Sequence, residues 1–253
     1  MRASRWDPKA IEDKAPSTPS LHRFMRDIKD IKNEPLPGIH VSSSEDDLSK
    51  LHVIVVGPAG TPYEGGFFHF FVKCSQSYPM RPPLVRLLTT DAGRVRFNPN
   101  LYACGKVCLS ILGTQTGLAW NPVQTISSVL LSIQSLFKEE PYCNEPQLAD
   151  AFLNDSAGYK QRLQHETIRV AVCDAVEACM QDNPPCPQDL AAVVISTFAD
   201  SYDKYEDKVK SLLHLTGTKM EKCFVGPNLE EATFQYETLL RRLMELNGGN
   251  NRN

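Results

Sequence analysis

RFNPNLYACGKVCLSILGTQTGLAWNP, running from Arg96 to Pro122, is the stretch on which the reading of the whole chain turns. It sets the triplet Asn98-Pro99-Asn100 eight residues ahead of Cys108, counted from Asn100, and closes on Trp120-Asn121-Pro122 just before a strong helical pattern. A thiol is the best neutral-pH nucleophile among the side chains, and a carboxamide held nearby can donate to an oxyanion forming on an attacked carbonyl. The stretch therefore reads as a candidate acyl-transfer site.

Outward from it in the C-terminal direction, Ile126, Val129, Leu130, Ile133, Leu136 and Phe137 recur at spacings of three and four, which predicts an amphipathic helix. Asn121 is the expected cap and Pro122 the expected first-turn residue. Lys138-Glu-Glu-Pro141 ends the pattern, and Pro141 to Pro146 reads as a rigid loop.

Toward the N-terminus, Ile39–Val41, Leu51–Val56, Phe67–Val72 and Val85–Leu88 read as strands. Gly57-Pro58, Gly60, Gly65-Gly66 and Tyr78-Pro79 mark the corners, and such short spacings favour an antiparallel meander over crossovers. The proline-dense Tyr78-Pro-Met-Arg-Pro-Pro83 is expected as an exposed, stiff turn leading into an edge strand. Leu21, Phe24, Met25, Ile28 and Ile31 predict a first helix, capped by Ser20 and stopped by Pro35, which covers one face of that sheet. Its outer face carries Arg23, Arg26, Lys29 and Lys32, a surface able to receive an acidic partner. Residues 1–19 are polar and aperiodic and read as a flexible arm.

Beyond Leu148 the pattern turns to helices, expected at Ala149–Leu153, Tyr159–Met180, Leu190–Tyr205 and Phe234–Leu246. Composition excludes several classes. The formal net charge is −3 with 23% charged residues, which gives no electrostatic footprint for nucleic acid. Apolar runs fall far short of the roughly 18 residues a membrane span requires. The first residues lack an apolar signal core, so the eight cysteines are expected as thiols in a cytoplasmic protein, with the nucleus as a second compartment. Their spacings form no paired CxxC knuckles, and no metal is expected.

Taken in order, the basic first helix, Thr61-Pro-Tyr-Glu-Gly-Gly-Phe-Phe68, Tyr78-Pro-Met-Arg-Pro-Pro83, Asn98-Pro-Asn100, Gly105-Lys-Val-Cys108-Leu and Trp120-Asn-Pro122 resemble the ubiquitin-conjugating enzyme family. The phrases Val-Cys108-Leu-Ser-Ile-Leu-Gly-Thr and Asn-Glu-Pro146, the helix text His165 to Cys173 and the long helical C-terminus resemble its large Z subtype. The resemblance implies an α+β fold: N-terminal helix, four-stranded antiparallel meander and central helix, with a helical extension. The expected divisions are an arm at 1–19, a catalytic core at 20–155 and an extension at 156–253 packed on the core.

By the same resemblance, Cys108 accepts ubiquitin, or a ubiquitin-like modifier, as a thioester from an activating enzyme and yields it to a substrate lysine or a ligase cysteine. Asn100 serves as oxyanion donor or as support of the loop. Glu145 is the acidic gate, with Asn144 as the alternative. Met80, Pro122 and Val123, with Arg23 and Arg26 of the first helix, meet ubiquitin ligases. The upstream partner implied is the alternative activating enzyme, dual for ubiquitin and a second modifier. No cofactor is expected, because ATP is consumed upstream and no GxxxxGK[ST] loop occurs here. The protein is expected as a monomer.

The family's usual His-Pro-Asn is Asn98-Pro99-Asn100 in this chain, so position 98 hydrogen-bonds without titrating near neutrality. Two rival readings stand beside this one. A cysteine hydrolase needs a histidine poised on the thiol, and none of the six stands in a recognisable context. A catalytically weak scaffold of the same fold would bind ubiquitin or a ligase without charging, although such relatives lack the cysteine. Cys104 and Cys143 read as incidental thiols, Trp120 as packing under the active loop, and His165 as structural. The segment Gly113–Leu118 belongs to an insertion whose job the sequence does not reveal.

Overall fold

The computed structural model describes residues 6–9, 15–44, 46–144, 156–220 and 232–250. Helix α1 spans Thr18–Asn33. It starts earlier than the spacing suggests: Ser17, not Ser20, is the cap, its Oγ accepting from the Ser20 amide, with proline in the first turn. Phe24, Ile28 and Ile31 are buried on its inner face. Four strands follow, β1 (Ile39–Ser43), β2 (Lys50–Val56), β3 (Phe67–Lys73) and β4 (Leu84–Leu87), in the order β1-β2-β3-β4 with every pair antiparallel. The meander is as expected.

Alternation along the strands sends two sets of residues to opposite faces. The pairs Leu51–Val72, Val53–Phe70 and Val55–Phe68 face α1 and helix α2 (Ile126–Gln134) in a first core. Ile54, Val56 and Phe67 face the other way, into a second core. One covering helix was expected; the sheet is in fact covered on both sides. That explains why six of the seven β3 residues are buried rather than alternate ones.

The second core is built by helices α4 (Ala175–Cys179), α5 (Gln188–Leu212) and α6 (Tyr236–Asn250), and the chain enters it from helix α3 (Ser156–Glu166), whose own core residues face the first. Between α3 and α4 the backbone widens into a π-helical stretch, Thr167–Asp174, where an ordinary helix was expected. Six of its eight residues are buried. Val170 and Ala171 enter the first core while Ile168, Val172 and Cys173 enter the second, so this stretch is the seam between them. Tyr159 and Leu163 of α3 also lie in the first core, so a boundary at 155 does not separate the two. The expected helix at 149–153 lies outside the described residues.

Two local expectations are corrected. Helix α2 is capped by Thr125 rather than Asn121, in a reciprocal pair with Ser128, so Pro122 precedes the helix and stands in a turn. Residues 6–9, within the segment read as a flexible arm, lie on β4: Asp7 pairs with Arg86, Trp6 sits 5.8 Å from the Arg86 guanidinium, and Pro8 is buried.

Candidate active site

Phe97, Leu101 and Val107 are buried in the first core and pin both arms of a tight hairpin, whose tip is Tyr102–Lys106. Gly105 docks that tip onto the sheet edge. The Leu87 amide donates to its carbonyl at 2.9 Å, and a Cβ there would stand 2.6 Å from the Leu87 oxygen, at a φ of 89°. The Asn-Pro-Asn triplet forms the turn before the hairpin, with Asn98 Oδ1 accepting from the Asn100 amide at 3.0 Å. Arg96 ties the same turn by donating to the Asn98 carbonyl at 3.3 Å, its guanidinium lying 3.9 Å from the Tyr102 ring.

These constraints bring Cys108 and Asn100 face to face. The Cys108 amide donates to the Asn100 carbonyl at 2.8 Å, and Asn100 Nδ2 donates back to the Cys108 carbonyl at 2.8 Å. Cys108 is 7% exposed and Asn100 2%. The thiol donates to the Thr114 carbonyl at 3.2 Å. Thr114 Oγ1 in turn accepts from the Leu109 amide at 2.9 Å and reaches the Val107 carbonyl at 2.7 Å, which folds the inserted loop back over the cysteine. Gln115 Oε1 accepts from Asn100 Nδ2 at 3.1 Å. A cleft of about 300 Å³, walled by Trp6, Pro83, Lys106 and Thr114, opens beside that loop.

Asn98 is wholly buried and acts as a strut. Its Nδ2 donates to the Tyr63 hydroxyl at 2.9 Å and to the Leu136 carbonyl at 3.0 Å. Asn144 donates to the same Leu136 carbonyl at 2.8 Å and to Asn98 Oδ1 at 3.3 Å, so the loop after α2 is pinned behind the triplet. Glu145 and the Cys143 side chain lie outside what is described.

The histidines with side-chain partners are committed elsewhere. His52 and His69 pair at 2.9 Å on the opposite sheet face, where burial pushes His69 down to about 3. His165 contacts Glu166 and accepts from the Gln235 amide at 3.1 Å, tying α6 to α3. Neither arrangement supplies the base a hydrolase needs.

The expected docking residues divide. Met80 and Val123 are 72% and 83% exposed, Arg26 is exposed and Pro122 half-buried. Trp120 packs against the first core as expected, and its Nε1 donates to the Pro79 carbonyl at 2.6 Å, which also joins the two loops that carry Met80 and Pro122. Arg23 departs from the free basic face expected of it. It pairs with Asp27 at 2.8 Å and donates to the carbonyls of Pro122 and Gln124 at 3.2 and 2.9 Å. Asp27, which the sequence reading passed over, is 1% exposed and also accepts from the Tyr78 hydroxyl and the Ile126 amide. Tyr78 is thereby drawn into the core, leaving Met80 at the exposed tip of the proline turn. The available signal was an acid three residues after Phe24, on the apolar stripe of α1. Cys104 is exposed on the hairpin tip.

Comparison with known proteins places these features in context. Residues 23–167 match the family model described as ubiquitin-conjugating enzyme. The chain is 47% identical over 244 residues to the ubiquitin-conjugating enzyme E2 Z of Homo sapiens, covering 95% of this chain and 67% of that protein. To the protein of the same name from Danio rerio it is 46% identical over 247 residues, covering 96% and 73%. The probable ubiquitin-conjugating enzyme protein 17 of Caenorhabditis elegans is 42% identical over 143 residues, covering 53% of this chain and 20% of that one. The similarity to the Z relatives thus runs through the second core as well as the first.

Proposed function

Because the chain belongs to the ubiquitin-conjugating enzyme family, we propose that Cys108 accepts the C-terminal glycyl group of ubiquitin, or of a ubiquitin-like modifier, as a thioester and passes it to a substrate lysine or a ligase cysteine. The observation that carries this reading is the clasp between Asn100 and Cys108, a buried amide donor fixed beside a thiol. In charging, the Cys108 sulfur attacks the thioester carbonyl held by the activating enzyme. A new S–C bond forms through a tetrahedral oxyanion, the activating enzyme's sulfur departs, and the proton from Cys108 ends on it. In discharge the attacking amine plays that part, and the Cys108 thiol is regenerated.

A lysine with a reference pKa near 10.4 is neutral in only about one molecule in a few thousand at pH 7, so a gate group that orients and desolvates it speeds attack. Asn144 is engaged as a pin, which favours Glu145 as that gate. We assign Asn100, whose Nδ2 is held beside Cys108, the support of the oxyanion, a role whose loss costs about 3 to 4 kcal/mol elsewhere. Met80, Pro122, Val123 and Arg26 form the proposed ligase surface, with Arg23 bracing it from behind. We assign no cofactor to the chain, since ATP is consumed by the activating enzyme, and we take the protein to act as a monomer in the cytoplasm and nucleus. Among the described residues no helix is long and apolar enough to cross a membrane. Selectivity for the alternative activating enzyme is assigned to the helices of the second core.

The test is a charging assay with ubiquitin, ATP and each activating enzyme. The native chain should form an adduct that a thiol reductant removes, and Cys108→Ser should give an oxyester that resists reductant and yields to hydroxide. A reducible adduct persisting in Cys108→Ser would sink the assignment.

A further inference from the structure

The loop 113–118 touches both groups on which the proposed chemistry depends. The Cys108 thiol donates to the Thr114 carbonyl, and the next residue, Gln115, accepts from Asn100 Nδ2. A carboxamide nitrogen carries two N–H groups. One goes to the Cys108 carbonyl at 2.8 Å, and because a carbonyl only accepts, that contact fixes which way the Asn100 amide is turned. The other goes to Gln115 at 3.1 Å. The two are not equally available. Breaking the first strands a carbonyl in a buried site, with the full cost of its desolvation, whereas Gln115 is exposed and returns to water at little cost. An oxyanion that calls on Asn100 therefore takes the N–H that Gln115 holds.

We infer that Gln115 is a positioning residue: it occupies the oxyanion-binding N–H of Asn100 while Cys108 carries its proton, and acylation of Cys108 releases it. The inference rests on the reading of Cys108 and Asn100 proposed above. Acylation exchanges the S–H bond of Cys108 for an S–C bond, and the proton leaves on the activating enzyme's departing sulfur. The Thr114 carbonyl then faces a sulfur with no hydrogen to offer, and an attractive contact becomes one between lone pairs. Gln115, one peptide bond away, moves off with it. The donor is thus masked before charging and open for attack by the amine afterwards.

Single-turnover charging and discharge to free lysine test this. Gln115→Ala removes the competing acceptor and should raise the charging rate about twofold to tenfold, the worth of one neutral hydrogen bond. Gln115→Glu offers a stronger, charged acceptor and should lower it by a similar factor, slowing discharge as well because a carboxylate then stands near the developing oxyanion. In an Asn100→Ala background both changes in charging should vanish. A residue that merely props the loop would not give opposite signs that both depend on Asn100. Losses of the same sign in the two variants, or effects that survive in the Asn100→Ala background, overturn the inference while leaving the thioester reading intact. A native chain that forms no Cys108-dependent adduct overturns both.

Discussion

The loop behind Cys108 and the seam between the two cores are both places where a polar network meets glycine, yet they are built to opposite ends. The loop is held over the thiol by a few hydrogen bonds, several from exposed or half-buried side chains such as Gln115 and Thr114. At the seam, Gly65 and Gly66 lie directly under the second layer. The Tyr205 hydroxyl donates to the Gly65 carbonyl at 2.8 Å, and a Cβ on Gly66 would stand 2.7 Å from Thr167 Cγ2 and 2.9 Å from Phe68 Cε2. Around it, Arg169 links Glu166 to Asp91, and Arg242 links Asp174 to Glu177. The difference teaches that the helical extension is part of the body of the molecule, packed on the sheet, while the loop over Cys108 is held only by a handful of hydrogen bonds.

If that is right, the seam is where a small change should do most damage. Gly66→Val forces two branches into space occupied by Thr167, Phe68 and Ala171, all buried and none a flexible tip. Over-packing of this kind should cost about 3 kcal/mol, the upper part of its usual range, and lower Tm by roughly 6–12 °C for a chain of this size. A thermal melt close to that of the native protein would mean that the layers slide apart freely and that the contrast with the loop is false.

Acid should loosen the seam next. Glu166 is buried, which by itself would raise its carboxyl, but the hydrogen bond from His165 and the charge and hydrogen bond of Arg169 outweigh burial and hold it below the usual range. A carboxyl depressed in the folded state contributes stability that is complete above its unfolded pKa, about 4.3, and is lost as pH falls from there through the folded value. Glu166→Gln should therefore cost about 2 kcal/mol at pH 7, in the range for hydrogen bonds to charged groups, and the gap to the native protein should narrow progressively as pH falls below about 4.3. Melts at stepped pH decide it, and a gap independent of pH would show that the Glu166 charge is not what joins the layers.

How much of this was legible in the sequence depended on distance along the chain. The pairing of Asn100 with Cys108 and the run of the four strands are local or ordered by motif, and spacing was enough to expose them. The cap of α2 was misplaced because Asn121-Pro122 is a familiar helix start, while the reciprocal Thr125–Ser128 pair that wins depends on where α1 and Arg23 hold the preceding turn. The Gly65-Gly66 step reads as a turn from its neighbours. Its second role, as floor for Tyr205, joins residues 140 positions apart and leaves no local trace. The π-helical stretch was invisible for a related reason. Its apolar residues satisfy a helical period, and only the presence of two cores to fill makes the wider turn preferable.

The smallest effect should come from the loop, and it sharpens the comparison most directly. Thr114→Ala removes the Oγ1 that receives the Leu109 amide and reaches the Val107 carbonyl, while the Leu109 and Leu112 side chains that rest on the first core stay in place. A single neutral hydrogen bond is worth about 0.5–1.5 kcal/mol, and here the loss falls on a segment that opens by itself rather than with the whole molecule. Exchange of the Leu109 amide should accordingly quicken by about twofold to tenfold, with Tm moving by no more than about 2 °C. At the seam local and global stability are one quantity, because the residues there belong to both cores. At the loop they should separate, so that the cover of Cys108 yields without cost to the fold. A fall in Tm comparable to that of Gly66→Val would show instead that the loop is a load-carrying part of the first core, and that whatever opens it must partly unfold the enzyme.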